Sequence, residues 1–189
     1  DHLSDEEASD LLENIPADEA TDLLMTLVKE QAFRLMRHME TQKSRELRLL
    51  LGYAKDSAGG LMTTEYLSVS KDTTVREALD LIKSKVDYPG SIYQIYVVDE
   101  YKRLVGSTSL RRLINEDLNK LIKETLYPKN IFVRTSDGME EIALLMEKYK
   151  VPSIAVLSDD DVLQGVITTD DVLEALIALS WSKYKEKLT

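Results

Sequence analysis

A phrase repeated in the second half of the chain constrains its fold more than any other feature. The segment from Leu104 to Ile114, LVGSTSLRRLI, recurs 59 residues later as LQGVITTDDVL. The segments that begin at Leu67 and Val75 also recur, at an offset of 64 residues. Internal repeats of this length are usually single supersecondary units that pack against one another. The chain is therefore predicted to contain two copies of one small unit.

Hydrophobic periodicity predicts the same order of elements in both copies. In the first copy the pattern predicts a strand, a helix, two strands and a second helix, at 67–69, 74–85, 91–99, 103–107 and 110–116. One copy is too small to bury a core of its own, so the two are expected to pack together. The predicted fold class is α/β (α+β).

The first 51 residues are predicted to form a separate, all-helical unit. Ser4 and Pro16 each precede a run of acidic residues, as at helix starts, and apolar residues then recur at helical spacing. A final amphipathic helix is predicted over 172–188. The predicted domain boundaries are 1–51 for the acidic helical domain, 52–61 for a linker, 62–126 and 127–179 for the two repeats, and 180–189 for a C-terminal connector.

Charge and composition exclude several functional classes. The net charge of −10 argues against a nucleic-acid surface, because such surfaces rely on lysine and arginine. The chain has no cysteine, which excludes thiolate metal sites and disulfides. No apolar stretch is long enough for a membrane helix. The chain also lacks a phosphate-binding loop with its lysine, and it has no nucleophile motif. We therefore predict that it is not an enzyme.

Two motifs resemble known families. The sequence GVITTDD at 165–171, within a tandem repeat of about 60 residues, resembles the CBS-domain pair, a regulatory module that commonly binds adenine nucleotides. The sequence KDSAGGLMTTEY at 55–66 resembles the junction between the acidic helical N domain and the CBS pair of MgtE-type magnesium transporters. The resemblance covers nearly the whole chain except its last ten residues.

The MgtE resemblance implies a function in magnesium sensing. In that family Mg²⁺ bridges acidic residues between the cytosolic domains, and the pore is then held shut. The resemblance also implies a homodimer formed through the CBS pair, a membrane domain after this fragment, and a location at the cytoplasmic face of the cell membrane. The metal-binding positions that it implies are Asp18, Asp22, Asp171, Glu174 and Glu140.

Chemistry agrees with these implied positions. Magnesium takes carboxylates and retained water, so its site needs no histidine or cysteine. Asp18 and Asp22 are four residues apart on a predicted helix, where like charges share a face and repel each other. A divalent ion would turn that repulsion into attraction. Each acidic residue also fits a simpler role at a helix start or on a solvated face.

An alternative function is that of a stand-alone CBS adaptor that binds adenine nucleotides such as ATP. The resemblance implies Thr168, Asp171 and Arg111 as its nucleotide contacts. The two repeats differ at the position that holds the ribose, which is Asp171 in the second repeat but Arg112 in the first. Lys150 stands where the family has an acidic residue, and its ammonium group is expected to replace the ion there.

Overall fold

A computed structural model describes residues 3–84, 94–127 and 130–186. The predicted helical unit is confirmed. Its helices are α1 (Asp5–Glu13), α2 (Ala17–Thr26), α3 (Lys29–His38) and α4 (Thr41–Leu50). Helix α1 packs against α3, and α2 packs against α4.

Local sequence explains where α1 begins and how it packs against α3. The side chain of Ser4 accepts a hydrogen bond from the Glu7 backbone N–H at 3.2 Å, and the Glu7 carboxylate accepts one from the Ser4 N–H at 2.8 Å. This capping box satisfies backbone donors that the first helical turn leaves free. The buried hydroxyl of Ser9 donates to the Leu35 carbonyl at 3.1 Å, which joins α1 to α3.

The two repeats have the same topology, as predicted. After a short helix α5 (Ala58–Leu61), the first repeat contains β1 (Ser68–Ser70), α6 (Val75–Ser84), β2 (Ile95–Val98), β3 (Leu104–Thr108) and α7 (Leu110–Ile114). A 3₁₀ turn (Ile122–Glu124) leads to β4 (Phe132–Arg134), α8 (Met139–Tyr149), β5 (Ser153–Leu157), β6 (Leu163–Thr168) and α9 (Thr169–Glu186). In the described part of each repeat the strands form one three-stranded sheet, in the orders β1-β2-β3 and β4-β5-β6. In each sheet the first pair of strands is parallel and the second antiparallel.

Two predicted elements differ in detail from the structure. The alternating sequence pattern at 91–99 predicts a strand with one buried and one exposed face. In the structure, however, all four residues of β2 are buried. Ile95 and Val97 pack into the core of the first repeat, whereas Tyr96 and Val98 pack between the two sheets. Positions 91–93 of that prediction lie outside the described residues. The last helix begins at Thr169, three residues earlier than predicted, and the end of its predicted range at 187–188 lies outside them too.

The duplication is visible in matching hairpin turns. Lys102 and Asp161 lie at equivalent positions of the two repeats, and both have a φ of 63°. The Leu104 N–H donates to the Asp161 carbonyl at 3.1 Å, and the Leu163 N–H donates to the Lys102 carbonyl at 3.0 Å. The two hairpins therefore bond to each other reciprocally.

The N-terminal helices share one hydrophobic core with the second repeat. This core includes Leu24 and Leu47 of the helical unit, Met62 after α5, and Ile142 and Ile167 of the second repeat. The first repeat has its own core, and a third cluster lies between the two sheets. The buried hydroxyl groups of Tyr96 and Ser153 are 2.9 Å apart and join the repeats.

The predicted linker at 52–61 is an ordered junction. It contains α5, whose first residues pair with the second repeat. The Ala58 N–H donates to the Asp137 carbonyl at 2.7 Å, and the Gly59 N–H donates to the Thr135 carbonyl at 2.9 Å. No helix in the described ranges is long and apolar enough to span a bilayer.

Candidate metal centre between the helical unit and the second repeat

Asp18 is the most unusual polar residue of the junction. It lies in the first turn of α2, and its Oδ1 atom is buried with no hydrogen-bond partner. Burial raises the pKa of the Asp18 carboxyl, and the charge of Asp22 raises it further, against hydrogen bonds that include one to the Thr63 side chain. Buried carboxylate oxygens are normally paired, because burial without a partner costs free energy. An unpaired one therefore points to a missing cation or donor.

Asp171 lies close to Asp18 across the junction. Its Oδ2 atom accepts hydrogen bonds from the Thr168 N–H at 2.7 Å and from the Thr168 hydroxyl at 2.8 Å. These bonds form a capping box at the start of α9. Burial raises the pKa of the Asp171 carboxyl, the Thr168 hydrogen bonds oppose this, and the charges of Asp18 and Asp170 add to it. The fold thus brings together two of the predicted metal positions, one from each unit.

Glu65 is a third acidic residue at this junction, and the sequence analysis missed it. Burial raises the pKa of its carboxyl, the charge of Asp18 raises it further, and Lys43 acts in the opposite direction. Glu65 lies in the extended segment after α5, where its N–H donates to the Thr63 hydroxyl at 3.2 Å. Such a segment has no periodicity that would have marked it. Its place in the junction motif was the only available signal.

The other predicted metal positions are exposed. Asp22 lies one turn after Asp18 and pairs with Lys55, with 3.6 Å between the lysine Nζ and Asp22 Oδ1. Glu140 lies in the first turn of α8 and Glu174 on α9. Within the part of the chain that the structure describes, the side chains of these two glutamates form no hydrogen bond or ion pair. The structure therefore does not join them to the Asp18 and Asp171 pair.

The junction can hold a cation only with help from water. Within residues 3–84, 94–127 and 130–186, no three His, Cys, Asp or Glu side chains are grouped so that they could hold a metal ion by themselves. Magnesium commonly binds through one or two carboxylates and keeps several of its waters. The Asp18 and Asp171 carboxylates fit that mode of binding, whereas zinc would need more protein ligands.

The predicted nucleotide contacts lie in two places. Arg111 is exposed on α7, and Thr168 and Asp171 are engaged in the α9 cap. Arg112, at the ribose position of the first repeat, lies over the Tyr127 ring at 5.3 Å. A cleft of about 350 Å³ lies between the repeats, and its lining includes Gln94, Ser107, Tyr127, Ile131 and Lys150–Ser153. Arg111, Thr168 and Asp171 do not line it.

The ion pair of Lys150 lies within its own helix. Lys150 ends α8 in a left-handed conformation with a φ of 53°. Its Nζ is 2.6 Å from the Glu147 carboxylate of the same helix. The expected role of Lys150 therefore finds no support in its contacts.

Comparison with known proteins identifies the family. The pattern of the MgtE intracellular N domain matches residues 1–56, and that of the CBS domain matches 58–119 and 123–178. The magnesium transporter MgtE of Thermus thermophilus is 38% identical over 164 residues, which are 85% of this chain and 36% of that protein. The chain thus spans about a third of the length of this curated relative.

Two solved structures extend the comparison. A crystal structure of the soluble part of a magnesium transporter has a TM-score of 0.88 and 34% identity, and the match covers 93% of this chain and 69% of that one. The cytosolic domain of the Mg²⁺ channel MgtE in complex with ATP has a TM-score of 0.82 and 36% identity, with coverage of 92% and 76%. The resemblance inferred from the sequence motifs is confirmed: the chain belongs to the MgtE family and consists of its intracellular N domain followed by its CBS pair.

Proposed function

We propose that this chain is the magnesium-sensing regulatory region of a magnesium transporter and lies at the cytoplasmic face of the membrane. A divalent ion bound at Asp18 and Asp171 holds the N domain against the second CBS repeat. The observation that carries this proposal is the buried, unpaired Oδ1 of Asp18, whose charge also raises the pKa of Asp171.

Electrostatics couple ion binding to docking of the N domain. With no cation present, the junction holds the half-buried charge of Asp18 near the charge of Glu65 and near that of Asp171, and this opposes docking. A divalent ion removes the repulsion and supplies the missing partner of Asp18. Because Asp18 and Asp171 belong to different units, the ion stabilises only the docked arrangement. By mass action, docking then follows the magnesium concentration.

The outer acidic residues have a secondary role in this proposal. Asp22 adds negative charge beside Asp18. Glu140 and Glu174 remain predicted metal positions, and their exposed carboxylates would bind ions through water or in contact with another surface. In a full-length transporter, ion-dependent docking of the N domain would be transmitted to the membrane domain and would hold the pore closed.

A homodimer through the CBS pair is part of the same proposal. An apolar groove of about 700 Å³ runs between α8 and α9. Leu144, Leu173 and Leu176 line it and are 68%, 55% and 42% exposed. Exposed apolar surface of this kind commonly marks an interface. A second copy that packs along these two helices would bury it.

Nucleotide binding is the second candidate function, with ATP as the ligand to test. It is favoured by the cleft between the repeats and by the related MgtE domain that was solved in complex with ATP. The stand-alone adaptor would use Asp171 for the ribose. That carboxylate is half-buried at the junction and takes part in the α9 cap, which favours its role in the metal centre.

Small-angle scattering in chelator and in millimolar Mg²⁺, matched for ionic strength, tests the proposal. We expect magnesium to reduce the radius of gyration of the wild-type chain and to leave that of the Asp18→Ala, Asp22→Ala double variant unchanged. An Asp159→Ala, Asp160→Ala double variant is the control, since it removes two exposed carboxylates from a hairpin turn. It should respond like the wild type.

Thermal unfolding with magnesium, AMP and ATP separates the two candidate functions. Strong stabilisation by magnesium alone supports the sensor, because a ligand that binds only the folded state raises its stability. Stabilisation by nucleotides, together with no effect of magnesium on stability or compaction, would contradict the sensor and favour the adaptor.

A further inference from the structure

One ion pair joins the N domain to the junction. The Lys55 Nζ lies 3.6 Å from Asp22 Oδ1, and the two side chains are 71% and 58% exposed. Among the ion pairs of the described residues, only this one connects the first 51 residues to the rest of the chain. It places a positive charge beside the acidic surface of α2.

The backbone around Lys55 is held on both sides. The N–H and hydroxyl groups of Ser57 donate to the Ala54 carbonyl at 3.0 and 2.7 Å. The Asp56 carbonyl accepts from the Met139 N–H of α8 at 3.3 Å. Lys55 is therefore anchored between the end of α4 and the second repeat, and its ammonium group is tethered within reach of Asp22.

Lys55 acts on the same electrostatic field that would attract a divalent ion. Asp22 lies one turn from Asp18, and its charge adds to the repulsion that raises the Asp18 pKa. The Lys55 ammonium group beside Asp22 offsets part of that negative charge. It therefore lowers the attraction of the junction for a second cation.

We propose that Lys55 is a built-in competitor of the divalent ion and sets the magnesium concentration at which the N domain docks. The inference rests on the proposed function. In chelator the ammonium group offsets part of the acidic charge. When magnesium binds, this contribution becomes redundant, and the ion must overcome the repulsion of the lysine. Removal of the positive charge at this position therefore strengthens magnesium binding.

The test is a magnesium titration of the full chain, followed by scattering and by the unfolding temperature. Lys55→Gln should lower the magnesium midpoint by about two- to fivefold, the range expected for an exposed ion pair. Lys55→Arg, which keeps the charge, should retain the wild-type midpoint. Higher monovalent salt should reduce the difference between Lys55→Gln and the wild type, because salt screens exposed charges.

Lys83→Gln is the matched control. Lys83 also forms an exposed ion pair, 3.5 Å from Asp80, with exposures of 77% and 64%, but it lies on α6 of the first repeat. This control removes the same charge and should leave the midpoint unchanged. If the wild type responds to magnesium but Lys55→Gln has the midpoint of Lys83→Gln or a higher one, the inference is wrong and the proposed function stands. If the wild type does not respond, both are wrong.

Discussion

The half-buried carboxylate of Asp18 leads to a prediction about a single residue. Its raised pKa means that its negative charge opposes folding at neutral pH. In chelator, Asp18→Asn should raise the free energy of unfolding by about 1 kcal/mol or less, because water screens the exposed part of the side chain. Thermal unfolding should also show that the variant has lost its stabilisation by magnesium. Asp22→Asn, at an exposed position, is the control and should change the stability in chelator less. A less stable Asp18→Asn variant would contradict this account.

The pKa values of Asp18, Glu65 and Asp171 lead to a second prediction at this scale. All three are raised, so the folded chain binds protons at these positions more tightly than the unfolded chain does. The resulting stabilisation is complete below the ordinary carboxyl pKa values and is lost as pH rises through the raised ones. In chelator, the unfolding temperature should therefore rise as the pH is lowered from 7 to about 5.

Two comparisons check this pH dependence. Asp18→Asn should show a smaller rise, because one of the three groups is gone. Saturating magnesium should weaken or reverse the trend, because protons compete with the ion for the same oxygens. Carboxyls with lowered pKa values, such as those of Asp72 and Glu77, lose their contribution only at lower pH. A wild-type unfolding temperature that does not change between pH 7 and pH 5 would refute the prediction.

At the scale of elements, helix α5 depends on a close backbone contact. A Cβ atom added at Gly60 would overlap the Ala54 carbonyl oxygen, whereas one added at Gly138 would meet nothing within 4 Å. Gly60→Ser should therefore lower the free energy of unfolding by about 1–3 kcal/mol. Gly138→Ser, at the N-cap of α8, should be nearly neutral. Urea unfolding compares the two variants, and equal stabilities would show that the contact does not matter.

Elements with a local signal could be predicted from the sequence, and contacts across the junction could not. Ser4, Pro16 and the repeated strand and helix pattern located helices and strands because capping and periodicity are local. The family resemblance supplied Asp18 and Asp171. Glu65 and Lys55 were missed because they lie in segments without periodicity, and their role appears only when α2 packs against the junction. The burial of both faces of β2 likewise depends on the second sheet.

At the scale of the whole molecule, the apolar groove between α8 and α9 predicts a dimer. Full burial of a leucine side chain in such an interface would stabilise the dimer by about 1.5–3 kcal/mol. Leu173→Glu would instead place a charge in the interface, so sedimentation should show a monomer that remains folded. Leu11→Glu is the control, because Leu11 is 58% exposed but lies on α1 of the N domain. A monomeric wild type at high concentration, or a dimeric Leu173→Glu variant, would exclude this interface.

The core shared by the N domain and the second repeat has a consequence for local opening. Leu24, Leu47, Ile142 and Ile167 belong to one hydrophobic cluster, whereas Val75 and Leu113 belong to another. The cooperative units seen by amide hydrogen exchange should therefore differ from the domains defined by the sequence. In saturating magnesium, where the N domain is docked, the N-terminal helices and the second repeat should open together as one cooperative unit, and the first repeat should open separately from them.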